Sequence, residues 1–409
     1  SLLRLAMGKA AQRSIWQQLG TLPGFPHAYL ERLAQTRQRG GIPIYELWKS
    51  QKRAVQHGIL DGYEQGTPGV TLGPRHFIIA MQPGAGKTLI GEMEIAQFLA
   101  HDDSGLCLYV VPTRALASQA ERELGRRLGD VGLHPVSLAG MGLSFKDAVR
   151  LFDARVLITT PEKLNSILAR RYDKASTWSG LLSPETVRLI IVDEAHLIGS
   201  QDARGLLLEM LLLRLHHLYP TARIVLQSAV IGNSIAISRW LNEEREWADD
   251  SAIVVDDWAP TDLLYGVLRR DGVVEYENGV QIPVLSGQAT YGATNPPVQL
   301  VLQYCLPRRL KTLVFVSTQD RASHIAGLIA AELPGPENGE LSPALARLIA
   351  TVKAELTAMG LRLSVDGTAM GGGEHTQLAD EFPLISYLRK RIAFHHAGLP
   401  APVRRGIER

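Results

Sequence analysis

Two stretches carry side chains whose types and order suit phosphate chemistry. Phe77 to Thr88, F-I-I-A-M-Q-P-G-A-G-K-T, ends an apolar run in a glycine-spaced loop closed by Lys87 and Thr88. In such a loop Gly84, Ala85 and Gly86 turn backbone N–H groups inward on a polyphosphate. Lys87 reaches the β/γ oxygens, and the Thr88 hydroxyl ligates Mg²⁺. The strict pattern wants Gly where this chain has Met81. Val187 to His196, V-R-L-I-I-V-D-E-A-H, delivers two adjacent carboxylates at the end of a buried-strand pattern. Asp193 is suited to hold Mg²⁺ through water, and Glu194 to orient and deprotonate an attacking water. An isolated Asp-Glu pair is usually a solvated loop. Here an apolar strand runs straight into the acids and a phosphate loop lies upstream, which points to an Mg²⁺-dependent nucleoside triphosphatase of the strand–loop–helix kind.

These groups need a sheet to position them. From Phe77 to Ile253 apolar runs alternate with amphipathic ones, as a parallel, doubly wound α/β sheet requires. Strands are expected at Phe77–Ala80, Cys107–Val111, Val156–Thr159, Leu189–Val192, Ile224–Gln227 and Ile253–Val255, and a helix over Leu89 to Leu99 that points its positive end at the phosphates. Polar residues follow the strands: Pro112-Thr113-Arg114, Thr160-Pro161 with Lys163, and Gln227-Ser228-Ala229-Val230. Taken together they offer a row of donors to a phosphodiester backbone; taken singly each is a capping device.

Residues 1 to about 60 read as helical, broken at Pro23, Gly24 and Pro26 and again at Gly40, Gly41 and Pro43. Tyr45 to Gly58 reads as one helix entering the nucleotide domain. From Thr261 a second block begins. Tyr265 to Val284 alternates apolar and polar residues around Asp271-Gly272 and Asn278-Gly279, which marks a β-hairpin insertion. Lys311 to Ser317 reads as a buried strand. Residues 333–382 read as a further insertion, with a helix near Pro343–Met359 and a hinge at Gly371-Gly372-Gly373.

Composition sets the bounds. A chain of 409 residues exceeds one comfortable core, so two domains are expected. The net charge of +2 excludes a broadly basic coat and confines any nucleic-acid surface to a local groove. Cys107 and Cys305 both lie in strand-like apolar runs and read as core thiols of a reducing compartment, cytoplasmic or nucleoid/nuclear. No run approaches the roughly 18 apolar residues of a membrane span. The first thirty positions carry Arg4, Lys9 and Arg13 without an acid, as transit peptides do. Leu2, Leu3, Leu5, Ile15, Trp16 and Leu19 suit instead a helix packed on the body, which makes organellar targeting the minor reading.

The order of these pieces resembles superfamily-two helicases of the DExH type: phosphate loop, P-T-R-A-L, T-P-E-K-L, D-E-A-H and S-A-x. Arg204-Gly205, Glu209, Trp240-Leu241, Trp258-Ala259-Pro260 and Ala393-Phe394-His395-His396-Ala397-Gly398-Leu399 resemble the superkiller-like (Ski-like) branch over about residues 45 to 409. The resemblance implies tandem RecA-like sheets: a helical segment at 1–60, a first domain at 61–258, and an incomplete second one at 259–409 with its insertion near 333–382. It implies catalytic roles for Lys87, Glu194 and His196, and adenine recognition by Gln51, which on residue type alone is a solvent-facing helical glutamine. Nucleic-acid contacts are implied for Pro112, Thr113, Arg114, Thr160, Pro161, Lys163, Ser317, Thr318, His396 and Gly398. Ser228 and Ala229 would couple hydrolysis to strand movement, with Val230 standing where the branch has Thr.

The activity implied is ATP-driven movement, 3′ to 5′, along single-stranded or partly duplex DNA or RNA. Backbone contacts do not separate the two nucleic acids. The motifs that follow Gly398-Leu399 in the branch are not in the sequence. The chain therefore reads as the front part of a larger helicase, binding ATP but hydrolysing it at background rate by itself. The alternative is a nucleic-acid-binding or scaffold module with an ATP-operated switch. A small-molecule kinase would leave the Ser228-Ala229-Val230 and His395 to Leu399 strings unexplained.

Overall fold

The computed structural model describes residues 8, 11–35, 43–63, 76–129, 132–138, 151, 154–170, 177–242, 252–285, 295–333, 341–358, 383–396, 399, 403–404 and 407. The expected hinge at Gly371-Gly372-Gly373, most of the 333–382 insertion, Gly398 and Leu2, Leu3 and Leu5 lie outside the described residues. The chain divides into two compact units, Ser1–Asp262 and Leu263–Arg409.

The first unit is built on seven strands: β1 (Phe77–Met81), β2 (Leu106–Val110), β3 (Pro135–Ser137), β4 (Val156–Thr159), β5 (Val187–Asp193), β6 (Arg223–Ser228) and β7 (Ile253–Asp256). Their order is β3-β4-β2-β5-β6-β1-β7 and every pairing is parallel. The six expected strands are present, shifted at their ends by at most a residue or two. β3 was not expected, because three residues opening on Pro135 are too short to show a pattern; it exists through its ladder with β4. Strands buried on both faces read as continuous apolar runs. Accordingly Phe77, Ile79, Tyr109 and Ile191 enter one core with the helices Lys87–His101 and Arg114–Leu128, while Ile78, Leu108, Ile190 and Leu226 enter a second core with Ala203–Leu218.

The N-terminal helices belong to the first of these cores. Ile15, Leu19, Tyr29, Leu30 and Leu33 are fully buried there, whereas Trp16 lies outside, stacked on His27. Two buried acids on the helix Lys87–His101 join this layer to the sheet. Glu92 accepts from the Tyr29 hydroxyl at 2.9 Å and from Arg127 Nη1 at 2.6 Å. Glu94 accepts from the Tyr63 hydroxyl at 2.7 Å and pairs with Arg223 Nε at 3.2 Å. Arg223 also donates to the Asp61 carbonyl at 3.0 Å, and its guanidinium stands 4.9 Å from the ring centres of both Tyr63 and Phe77.

Burial outweighs Arg127 and Tyr29 and pushes Glu92 up to about 7. The folded value thus lies above the ordinary value of about 4.3. Stability from this group is therefore complete below about pH 4.3 and is lost as pH rises through about 7. Urea unfolding across this window should show a Glu92-dependent rise in stability on acidification that Glu92→Gln flattens. Parallel pH profiles for the two proteins would exclude it.

The second unit holds a three-stranded antiparallel sheet, β8 (Gly266–Leu268), β9 (Val273–Tyr276) and β10 (Gln281–Pro283). The expected hairpin is thus two hairpins sharing β9. Gly272 and Gly279 sit in their turns at φ 81° and 80°, a conformation that glycine adopts freely. The helices Gln319–Glu332, Pro343–Ala358 and Pro383–Arg389 surround Val352, Leu384, Leu388 and Phe394.

Two expectations fail here. Lys311 to Ser317 has the alternation of a strand, with Val314 and Val316 turned toward Ile325 and Ile329 while Leu313 and Phe315 are 76% and 86% exposed. It nevertheless has no strand partner among the described residues, and strand character depends on a neighbour's ladder. Cys305 ends a helical turn, Val301–Cys305, that continues a helix begun at Pro296; a short apolar run does not distinguish strand from helix. Among the described residues no helix is long and apolar enough to cross a membrane.

Candidate nucleotide and nucleic-acid site

The strand order places the chemically equipped loops side by side at the C-terminal edge of the first sheet. Along that edge lie Thr160-Pro161 after β4, Pro112-Thr113-Arg114 after β2, Asp193-Glu194 at the end of β5, Ser228-Ala229 at the end of β6 and the glycine loop after β1. Ligands of open α/β sheets bind at this edge.

The glycine loop has Gly84 and Gly86 at φ 79° and 87°, and a Cβ on Gly86 would fall into the Gln51 amide. The loop is held from beneath by the helix Lys49–Gln56, where Ser50 Oγ donates to the Ala85 carbonyl at 3.0 Å and Gln51 Nε2 to the Gly86 carbonyl at 3.4 Å. The Gln51 Oε1 accepts from the Trp48 N–H at 2.8 Å, and the side chain is buried. The solvent-facing glutamine expected here is thus a buried one spent on the loop, and its amide is engaged at both ends. Lys87 opens the helix beyond the loop. Its ammonium donates to the Met81 and Gln82 carbonyls at 2.9 and 3.3 Å. Burial pulls it below the ordinary lysine value, against the opposing pull of Glu194 and Asp193.

Asp193 ends β5 and Glu194 turns the chain, at φ 56° and ψ 42°. That left-handed conformation costs a non-glycine residue about 1–2 kcal/mol. Such strain is met at functional turns. Asp193 Oδ1 accepts from the Glu194 N–H at 2.9 Å and Oδ2 from the Tyr109 hydroxyl at 3.4 Å. Burial, and then the Glu194 carboxylate, raise Asp193 above the usual carboxylate range. Hard oxygen donors, from Asp193 and the Thr88 hydroxyl, fit Mg²⁺, which takes few protein ligands.

His196 links the acids to β6. Its Nδ1 lies 3.1 Å from Glu194 Oε2 and 3.2 Å from Ser228 Oγ, and its N–H donates to the same hydroxyl at 3.0 Å. Ser228 Oγ gives its own proton to the Val230 carbonyl at 3.1 Å. This network assigns the proton to Nδ1, shared between carboxylate and hydroxyl.

The threonines of the donor row act as helix caps. Thr113 Oγ1 accepts from the Leu116 N–H at 3.2 Å and Thr160 Oγ1 from the Lys163 N–H at 3.4 Å. Thr160 and Pro161 are buried, Pro112 and Lys163 half-buried, and Arg114 exposed. In the second unit Thr318 caps Gln319–Glu332 through the Arg321 N–H, and Ser317 beside it is exposed. His396 stacks on Phe394 with ring centres 5.6 Å apart, and burial together with His395 lowers its basicity. Sequence reasoning missed Ser50 and Tyr109, whose parts follow from packing and from cross-strand neighbours.

Residues 53–236 match the family model for DEAD/DEAH box helicases. The ATP-dependent DNA helicase Hel308 of Thermococcus kodakarensis is 28% identical over 382 residues, 92% of this chain and 27% of that protein. Its counterpart in Methanocaldococcus jannaschii is 31% identical over 240 residues, 58% of this chain and 17% of that protein. Among solved structures, the DUF1998 helicase MrfA bound to DNA aligns with a TM-score of 0.51 at 19% identity, covering 82% of this chain and 44% of that one. The structural likeness is one of fold, a parallel α/β sheet flanked by helices, and the chain spans less than half the length of each of these relatives.

Proposed function

We propose, from the premise that residues 53–236 form a DEAD/DEAH box helicase domain, that the whole protein hydrolyses ATP to move along single-stranded or partly duplex nucleic acid. The observation that carries this is the continuous link from Glu194 through His196 to Ser228, placed beside the glycine loop by the adjacency of β5, β6 and β1. Lys87 holds the β/γ-phosphates, and Thr88 and Asp193 hold Mg²⁺, which neutralises charge developing in transfer. Glu194 orients the attacking water and takes its proton. His196 ties Glu194 to Ser228, so a shift of the Ser228-Ala229 segment reaches the water-activating carboxylate.

Arg114 and Lys163 supply charge to a phosphodiester backbone at the other end of the same edge, and helix N-termini supply N–H donors. Similarity to the Hel308 helicases and to DNA-bound MrfA supports nucleic acid as the track, and resemblance to the Ski-like branch supports 3′-to-5′ movement. A cytoplasmic or nucleoid location accords with such a substrate.

The decisive experiment is nucleic-acid-stimulated ATP turnover by the whole protein, followed by strand displacement. Lys87→Ala should lower turnover by at least about 10²-fold, the scale for losing one group aimed at transition-state charge. Stimulated turnover without displacement would favour an ATP-operated switch. Arg114→Ala should weaken binding equally for unrelated sequences. It should also make the log–log salt dependence shallower by about 0.7 on single strands, one phosphate contact's share. A sequence-selective loss would overturn the assignment to backbone contact.

A further inference from the structure

We propose that Gln227 is a positioning residue for the Asp193 carboxylate; the proposal rests on the nucleotide reading above. Gln227 is the next-to-last residue of β6 and pairs in register with Asp193 on β5. Residues in register on adjacent parallel strands project to the same face, about 4.8 Å apart. The Gln227 side chain is fully buried, and among the described residues neither Oε1 nor Nε2 has a hydrogen-bond partner. A buried amide with both ends unpaired is costly, and such groups are rare enough in native structures to call for an explanation.

A second local choice is made at the same spot. Gly91 lies inside the helix Lys87–His101, one turn beyond Thr88, where a glycine weakens the helix. A Cβ at Gly91 would stand 2.8 Å from Gln227 Nε2 and 3.3 Å from Oε1. The helix thus gives up a side chain where the glutamine amide lies. Two choices that each disfavour folding coincide between the glycine loop and the acid pair, and local rules are broken in this way where function requires it.

The contacts of Asp193 show what the amide is suited to do. Oδ1 is held by the Glu194 N–H, and Oδ2 is approached at 3.4 Å by the Tyr109 hydroxyl from β2. A carboxylate accepts more than two hydrogen bonds. β6 is the strand on the opposite side of β5 from β2, so Gln227 flanks Asp193 where Tyr109 does not. Its neighbour Ser228 turns to the other face and binds His196. Consecutive residues of β6 would thus serve the two ends of the D-E-A-H motif, Gln227 through Nε2 to the Asp193 carboxylate or to a water on it, and Ser228 to the histidine. Groups that orient a metal's ligands typically change metal affinity 10- to 100-fold when removed.

The test measures binding of a fluorescent ATP analogue to the 409-residue chain as Mg²⁺ is titrated, together with the melting temperature of the nucleotide-free protein. Gln227→Met keeps the length of the side chain and removes its hydrogen bonds. It should raise the melting temperature, raise the Mg²⁺ needed for half-maximal binding by about tenfold or more, and leave affinity in EDTA unchanged. Gly91→Ala, which displaces the amide, should move the Mg²⁺ dependence in the same direction. Mg²⁺ dependence within twofold of the parent in both variants would overturn the proposal, as would a Mg²⁺ effect matched by an equal loss in EDTA. Failure of the parent chain to bind the analogue in a Mg²⁺-dependent way would instead overturn the nucleotide reading itself.

Discussion

Glu194→Gln in the whole protein is expected to lower ATP turnover by about 10²- to 10⁴-fold, the usual contribution of a positioned general base, with Mg²⁺–nucleotide affinity nearly unchanged. An amide can still orient a water but cannot take its proton. Its oxygen can also still accept from His196 Nδ1, which now stands 3.1 Å from Glu194 Oε2, so the link to Ser228 should persist. Asp193→Asn should behave differently. It removes charge from a residue bonded to the Glu194 N–H and proposed to hold Mg²⁺, and it should weaken Mg²⁺-dependent binding before it slows the chemical step. Single-turnover hydrolysis measured beside equilibrium binding separates the two outcomes. Exchange of the two phenotypes would overturn this division of roles between the adjacent carboxylates.

Arg223→Met should destabilise the first unit by about 3–5 kcal/mol, the cost of breaking a buried ion pair from one side. Arg223 opens β6 at 5% exposure and faces Glu94 at 0%. Without it Glu94 keeps, among the described residues, only the Tyr63 hydroxyl, and the Asp61 carbonyl loses the Arg223 donor. The double substitution Glu94→Met with Arg223→Met should recover most of the loss, because two apolar groups of similar size leave no buried charge behind. Urea unfolding of the four proteins forms the cycle. Simple additivity of the two single losses would show that the residues stabilise the unit independently.

The placement of the glycine loop after β1 and of the acid pair at the end of β5 was legible in the sequence because each motif sits in a few consecutive positions. The six expected strands were legible because burial on both faces leaves a solid apolar run, as in Leu106–Val110. Glu92 and Glu94 were not, since an acid on a helix ordinarily faces water. Their partners Arg127 and Arg223 come from other elements, and only the packed sheet brings them near. Tyr109 was missed for a related reason, and Gln227 was read only as one polar residue in the row at the strand ends. Gln227 gains a part only once register sets it beside Asp193, and Tyr109, in register with Ile191, only once its hydroxyl reaches the Asp193 carboxylate. At Lys311 to Ser317 the expected buried strand is absent, because an apolar run does not supply the neighbouring strand on which a ladder depends, and Leu313 and Phe315 stay exposed.

The N-terminal helices and β7 carry a practical consequence for anyone wishing to isolate the ATP-binding part. The recognisable stretch, 53–236, begins after Tyr29, Ser50 and Gln51 and stops before Ile253–Asp256. A protein cut to those limits would strip Glu92 of one of its two hydrogen-bond donors, remove the props beneath Ala85 and Gly86, and bare the flank of β1 that β7 now covers. It would leave an open sheet edge of the kind that recruits other chains. The piece that can stand alone in solution is therefore longer than the piece that is conspicuous, and a workable excision starts ahead of Ile15 and ends beyond Asp256.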